Sequence, residues 1–130
     1  MSRLNGSAYN VYVAFCRPRY ECASHWIILL SHPGSALCTW YHVAGGPARN
    51  KPYRFEIKEV QRLNSPDFAE KIWISGIPAD HASELEEIAE SIPLQESQNW
   101  TVRVVRALEK QGLVPRNTSA HFLEPYVGTN

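Results

Sequence analysis

The stretch His25-Trp26-Ile27-Ile28-Leu29-Leu30 is the most apolar part of the 130-residue chain, and the predicted fold is built around it. A continuous apolar run of this length is typical of a central strand that is covered on both faces. The turn residues Ser31-His32-Pro33-Gly34-Ser35 follow, and residues 37–43 return as a second apolar, aromatic strand. The stretch therefore predicts a central strand of a sheet, followed by a turn and a further strand.

The remaining elements are predicted from composition and from the spacing of apolar residues. One helix is expected after Asp80, which is predicted as its N-cap, and a second helix over about residues 97–111. Strands come first and helices afterwards, so the fold class is α+β, a small antiparallel sheet followed by two helices. The other strands are predicted at residues 9–16, 53–60 and 71–77.

The length of the chain fits a single domain over residues 1–130. Its core is predicted at about residues 9–112, and no internal repeat or low-complexity stretch divides it. Residues 113–130 are polar and aromatic without a clear period, so we expect a C-terminal tail that either wraps the surface or frays.

The composition excludes several classes of function. Thirteen Lys plus Arg balance thirteen Asp plus Glu, which argues against a protein that binds nucleic acid. The longest apolar run is far shorter than the roughly 20 residues that a membrane span needs. Three cysteines without paired or zinc-like spacing predict neither disulfides nor a metal site, and no cofactor is predicted. No secretory leader opens the sequence, so the expectation is a reduced, cytoplasmic domain.

Two histidines are the first candidates for catalysis. His25 opens the central strand, and His42 lies near the end of the strand that follows the turn. If these two strands pair, the rings approach each other near one end of the sheet. A histidine on a rigid strand beside a second polar ring can act as a general base with an orienting partner. The alternative is that each is a core histidine that is satisfied by a backbone carbonyl.

Ser97 is the third candidate because it stands at the predicted start of the second helix. A nucleophile at that position gains from the positive end of the helix dipole. Serine is also a preferred N-cap, so the alternative is a structural cap. Glu96 precedes it, either as a carboxylate that acts as acid or base in a pocket or as a charge that favours the helix dipole.

Tryptophans supply the candidate binding residues. Trp26 and Trp100 directly neighbour the candidate site, and Trp40 lies on the same strand as His42. Aromatic walls around a histidine suit a pocket for a bulky apolar small molecule. The alternative is that these side chains fill the core. We take the three tryptophans together with Glu96 as the candidate binding residues.

Three motifs, taken in order, resemble those of the lecithin:retinol acyltransferase-like family, the circularly permuted branch of the NlpC-type, papain-like superfamily. Arg17-Pro18-Arg19-Tyr20 with His25-Trp26-Ile27-Ile28-Leu29 resembles its first motif, and Tyr41-His42-Val43-Ala44-Gly45 its second. Glu96-Ser97-Gln98-Asn99-Trp100 resembles its last motif, Asn-Cys-Glu-His-Phe in animal members. It is also similar to the Asn-Cys-Gln-(Asn/Asp)-Trp version of small fungal proteins of uncharacterised function. The resemblance runs roughly from Arg17 to Leu108.

The resemblance implies a permuted papain-like architecture and acyl-transfer or amide or ester hydrolysis chemistry. His25 is then the base, His42 its orienting partner and Ser97 the nucleophile, with backbone N–H groups at the helix start stabilising the oxyanion. The family has Cys where this chain has Ser97, and Asn where it has Glu96. A serine hydroxyl is a poorer nucleophile than a thiolate near neutral pH, so the departure matters.

The serine leaves three interpretations open. Ser97 is a working nucleophile with His25 as its base, or it is an engineered replacement of a natural Cys, or the scaffold has lost acyl transfer. A scaffold that has lost acyl transfer has two possible roles. In one, the domain binds a hydrophobic metabolite and promotes a non-covalent cyclisation or isomerisation through His25, His42 and Glu96, as in secondary metabolism. In the other, it is a catalytically silent partner of another enzyme. The predicted partner is a small-molecule or acyl substrate, or that other enzyme.

Overall fold

The computed structural model describes residues 8–18 and 24–127. Within them, the chain forms one five-stranded antiparallel sheet followed by two α-helices, which confirms the α+β class. Arg19, Tyr20 and Cys22, which the motif and cysteine arguments used, lie outside the described residues. The strands are β1 (Ala8–Cys16), β2 (Trp26–Ser31), β3 (Leu37–Gly46), β4 (Lys51–Arg62) and β5 (Phe68–Pro78). Their order across the sheet is β4-β3-β2-β1-β5.

Strand β2 is the centre of the sheet, as its apolar run predicts. All six of its residues are buried, and it pairs antiparallel with β1 on one side and with β3 on the other. The register of β2 with β3 places Ile28 opposite Tyr41. Because side chains alternate between the two faces, Trp26 and Ile28 point to one side of the sheet and Ile27 to the other.

The two helices, α1 (Ala82–Ser91) and α2 (Ser97–Lys110), pack on the same side as Trp26. Helix α2 buries Trp100, Val104 and Leu108, which recur every four residues, so one stripe of the helix faces the sheet. The opposite face of the sheet carries a smaller apolar cluster: Ala14, Ile27, Leu29, Cys38 and Phe68.

The predicted N-cap of the first helix is wrong. A 3₁₀ turn, Ala79–His81, precedes α1, and His81 occupies the N-cap position without a side-chain hydrogen bond. Asp80 lies inside this turn, so its carboxylate is not at the position from which a cap accepts the free N–H groups of the helix.

The segment after α2 packs against the domain. Leu113, Val114 and Leu123 are buried in the main core, beyond the predicted core limit of residue 112. The π-helical turn Ser119–Leu123 and the 3₁₀ turn Glu124–Tyr126 carry this segment across the surface. Residues 128–130 of the predicted tail lie outside the described residues.

Strand β4 has two bulges in its pairing with β3, and each places two residues of β4 opposite one residue of β3. The register shifts between Cys38 and Trp40, and again between Ala44 and Gly46. At the second shift Gly45 has a φ of 83°, and a Cβ there would overlap the carbonyl oxygen of Pro52. Only glycine fits such a position, so the bulge opposite Gly45 requires this residue.

Candidate active site

The structure brings His25 and His42 together. His25 immediately precedes β2, and the β2–β3 register carries His42 to the same side of the sheet as Ile27. Nε2 of His25 lies 2.7 Å from Nδ1 of His42, a short hydrogen bond between the two rings. The rings meet edge to face, with centroids 5.0 Å apart. The pair is therefore a part-buried contact at the beginning of the central strand.

Glu56, on β4, is the third member of this group, and sequence reasoning missed it. It pairs across the strands with His42, and its Oε1 lies 3.1 Å from Nε2 of His42. The contact is at ion-pair distance, although its direction departs from that of a hydrogen bond. Arg54 donates from Nε to the other carboxylate oxygen over 2.7 Å. The alternation of apolar and charged residues in β4 was the only signal that placed Glu56 on a wet face.

Burial and neighbouring charges keep both rings neutral at neutral pH. Burial lowers the pKa of His25 to about 4, and the charges of His42, Arg49 and Lys58 act in the same direction. Burial also lowers the pKa of His42, against the opposing effect of Glu56. Burial raises the pKa of Glu56, but the hydrogen bond and charge of Arg54 outweigh it and the net shift is downward. The site therefore holds one carboxylate beside two uncharged imidazoles.

These charge states decide where the imidazole protons sit. A carboxylate can only accept, so Glu56 favours the proton of His42 on Nε2. Nδ1 of His42 then carries a lone pair and accepts the N–H of His25 Nε2. Nδ1 of His25 is left without a proton. This assignment follows from the contacts of the three side chains, and it makes His25 a base in one defined direction.

Ser97 is the first residue of α2 and is 9% exposed. Its Oγ accepts a hydrogen bond of 3.3 Å from the backbone N–H of Trp26, the residue that follows His25. Given standard bond lengths, the hydroxyl lies within roughly 6 Å of the Cα of His25. Among the described residues no hydrogen bond joins Ser97 to the ring of His25. The two side chains are thus neighbours across a backbone contact.

Glu96, and not Ser97, caps helix α2. Its carboxylate accepts from the backbone N–H of Gln98 over 3.0 Å and from that of Asn99 over 3.1 Å. The alternative that Ser97 is the structural cap is therefore wrong. Of the two roles considered for Glu96, the structure has the carboxylate that stabilises the helix start. The cap also occupies two of the N–H groups that were expected to stabilise an oxyanion, which leaves the N–H of Ser97 itself.

Gln98 locks the start of α2 to the residues before β2. Its side chain is 1% exposed, and Nε2 donates over 3.0 Å to the carbonyl of Ser24. The neighbouring N–H of Cys16 donates over 2.8 Å to the carbonyl of His25. Residues 24–26 are therefore held from both the helix and β1, which fixes the position of His25 relative to Ser97.

A cavity of about 410 Å³ opens beside the two histidines, and we call it the histidine cavity. His25, His42, Glu56, Ile27 and Trp40 line it. Ile27 and Trp40 belong to the smaller apolar cluster, so the cavity lies on the sheet face opposite the helices. The remaining lining residues are Cys16, Arg17, Ala44, Gly45, Arg49, Lys51, Arg54, Lys58 and Asp67.

Most of the candidate binding residues lie elsewhere. Trp26 and Trp100 are 2% and 0% exposed and pack in the main core on the helix side. Glu96 is committed to the helix cap, and neither it nor Ser97 lines the histidine cavity. Of the four candidates, Trp40 alone is among the residues that line it. The physical reason is strand alternation, which turns Trp26 away from the face that carries Trp40 and His42.

The comparisons with known proteins identify a family but no activity. A model of DUF6540, described as a family of unknown function, matches residues 11–115. The chain belongs to this family. No curated protein and no solved structure shows a significant match to this DUF6540 chain. In the described part of the DUF6540 domain, no helix is long and apolar enough to cross a membrane, and no three His, Cys, Asp or Glu residues are grouped to hold a metal ion.

Proposed function

We propose that this DUF6540 domain transfers or hydrolyses acyl groups, with Ser97 as the nucleophile and His25 as the general base. The observation that carries the proposal is the chain of contacts from Glu56 through His42 to His25, beside the buried hydroxyl of Ser97. A base fixed by a second ring, next to a hydroxyl at a helix start, is the arrangement that such chemistry requires. The three motifs that resemble the permuted papain-like family support the same assignment.

In the proposed reaction, Oγ of Ser97 attacks the carbonyl carbon of an ester or amide while its proton passes to Nδ1 of His25. The carbonyl electron pair moves to oxygen, and the N–H of Ser97 at the start of α2 donates to the resulting oxyanion. Collapse of this intermediate breaks the bond to the alcohol or amine, which takes the proton from His25. Water or an acceptor alcohol or amine then repeats the sequence, and Ser97 is regenerated.

His42 and Glu56 are positioning residues in this proposal. They hold the His25 proton on Nε2, so that Nδ1 is the basic nitrogen, and the carboxylate stabilises the imidazolium that forms during attack. Their effect on the rate comes entirely through His25.

Trapping of an acyl-enzyme tests the proposal. The protein is incubated with p-nitrophenyl acetate, and the modified residue is located by peptide mass mapping. We expect acetylation of Ser97, its loss in Ser97→Ala, and strong slowing in His25→Asn. Ser83→Ala is the matched control, since this serine is exposed on α1. Release of p-nitrophenol at equal rates from wild type and Ser97→Ala would contradict the proposal.

A second candidate is a non-covalent proton transfer on a small metabolite, such as a cyclisation or isomerisation. The observation that favours it is that His25 lines the histidine cavity and Ser97 does not. Glu96 has no part in it, because its carboxylate is bound to the helix start. Here Ser97→Ala retains turnover and His25→Asn loses it, so the same two variants separate the candidates.

We also propose that the domain works in the cytoplasm on a small-molecule or acyl substrate. Three cysteines without paired spacing are typical of a reducing compartment. The balanced charge of the whole chain supports a small substrate over a nucleic acid.

A further inference from the structure

The basic residues of the chain are concentrated at the histidine cavity. The whole sequence has a formal net charge of zero, yet the cavity is lined by five basic and two acidic side chains. The two acidic ones are Glu56 and Asp67, and Glu56 is already bound to Arg54 and close to His42. The lining therefore has an excess of positive charge that the rest of the molecule does not share.

Three of the five lining cations have a partner, and two have neither a hydrogen bond nor an ion pair among the described residues. Nε of Arg17 donates to the carbonyl oxygen of Pro66 over 3.1 Å. Arg54 is bound to Glu56, and the ammonium of Lys58 lies 5.7 Å from the ring centroid of Trp40. Arg49 and Lys51 are exposed, and neither has an ion pair within the described ranges 8–18 and 24–127. An unpaired Arg and an unpaired Lys on the wall of one cavity are what a carboxylate or phosphate group needs for recognition.

Both residues have defined backbone positions at the connection between β3 and β4. Arg49 ends the 3₁₀ turn Pro47–Arg49, and Asn50 closes the turn in the left-handed conformation with a φ of 56°. Lys51 begins β4 opposite Gly46, directly beside the bulge that Gly45 requires. The charge of Arg49 also acts on His25, since it adds to the effect of burial in lowering the pKa of that ring.

The floor of the cavity is apolar. Ile27 and Trp40 line it together with Ala44, and all three side chains lie on the same face of the sheet. A flat indole beside a buried aliphatic side chain accommodates an apolar or aromatic group.

From this arrangement we infer that the histidine cavity binds an anionic substrate, an acidic group joined to a short apolar or aromatic part. The acidic group pairs with Arg49 and Lys51, and the apolar part lies against Trp40 and Ala44. This inference rests on the proposed function, because it names the substrate class of the same site.

A pair of isosteric probes tests the charge preference directly. Binding of 2-naphthoate and of its neutral counterpart 2-naphthamide is measured by isothermal titration calorimetry on the whole protein. We expect 2-naphthoate to bind at least about tenfold more tightly, with an advantage that shrinks at high salt. Equal binding of the two compounds, or binding of neither, overturns the inference.

Matched variants locate the effect. The double variant Arg49→Ala with Lys51→Ala is expected to lower the affinity for 2-naphthoate about tenfold and to leave that for 2-naphthamide unchanged. The control is Arg103→Ala with Lys110→Ala, which removes the same charge from exposed positions of α2 outside the cavity. Equal losses in the two double variants show only the net charge of the protein and refute the site.

The experiment separates a failure of this inference from a failure of the proposed acyl transfer. Ser97→Ala keeps the cavity and is expected to bind 2-naphthoate as the wild type does. Acetylation of Ser97 without preference for the anion refutes the inference and leaves the proposed function standing. Anion binding without acetylation refutes acyl transfer and leaves the substrate class standing.

Discussion

Acidification from pH 7 to about pH 4 is expected to destabilise the domain in part through His25. Its pKa is about 4 in the folded protein against 6.5 for an ordinary histidine. Between these values the unfolded chain takes up a proton that the folded chain does not, so the free energy of unfolding falls as the pH falls. The pKa difference corresponds to a loss of about 3 kcal/mol. The pKa of His42 is lowered in the same direction, so its effect has the same sign.

Urea unfolding followed by tryptophan fluorescence at a series of pH values measures this loss. His25→Asn keeps a polar side chain but cannot titrate, so its stability should fall by about 3 kcal/mol less than that of the wild type across the same range. His121→Asn is the control, because His121 is exposed and lies outside the site, and it should follow the wild type. A His25→Asn variant whose stability falls as steeply as that of the wild type would refute the reasoning.

Three further predictions concern the site and its frame. Glu56→Gln is expected to slow acetylation at least about tenfold, since the amide no longer fixes the proton of the neighbouring imidazole, whereas Glu59→Gln on the same strand leaves the rate unchanged. Ser97→Cys should react with iodoacetamide faster than its His25→Asn double variant, as measured by intact mass, and equal rates would argue against a base at that position. Gly45→Ala should lower the free energy of unfolding in urea by more than about 2 kcal/mol, because its Cβ would overlap the neighbouring strand. Gly34→Ala has a similar φ but open space around its Cβ, so it should lower the free energy of unfolding by about 1 kcal/mol. Equal losses in the two variants would contradict the overlap.

The strands and helices were predictable because each is encoded by a local pattern. The apolar run of β2 needs cover on both faces, and the change of period after Pro78 marks the beginning of the helical half. The cap of α1 was not predictable, because a 3₁₀ turn shifted the helix start past Asp80. The bulges of β4 also leave no clear mark in the sequence, since they depend on how two strands align.

The site was predictable only where it depended on one pair of neighbouring strands. The β2–β3 pairing carries His25 and His42 together, and a turn of known length sets that pairing. Glu56 and the cations of β4 reach the site through a third strand whose register is set by the bulge at Gly45, so spacing alone could not place them. Proximity in sequence did not show that Trp26 faces the helix side, because adjacent strand residues face opposite sides of the sheet.

This alternation also explains why His25 is the pivotal residue of both candidate functions. Strand β2 separates the molecule into a helix side, where Ser97 contacts the backbone of Trp26, and an open side, where His42 and the cavity lie. His25 lies one residue before β2 begins, where the helix side and the open side meet at the end of the strand. Its Nε2 is held from the open side by His42, so a proton taken from the helix side must arrive at Nδ1. Acyl transfer by Ser97 therefore needs the acyl carbonyl at the end of β2, with the rest of the substrate on the cationic cavity face.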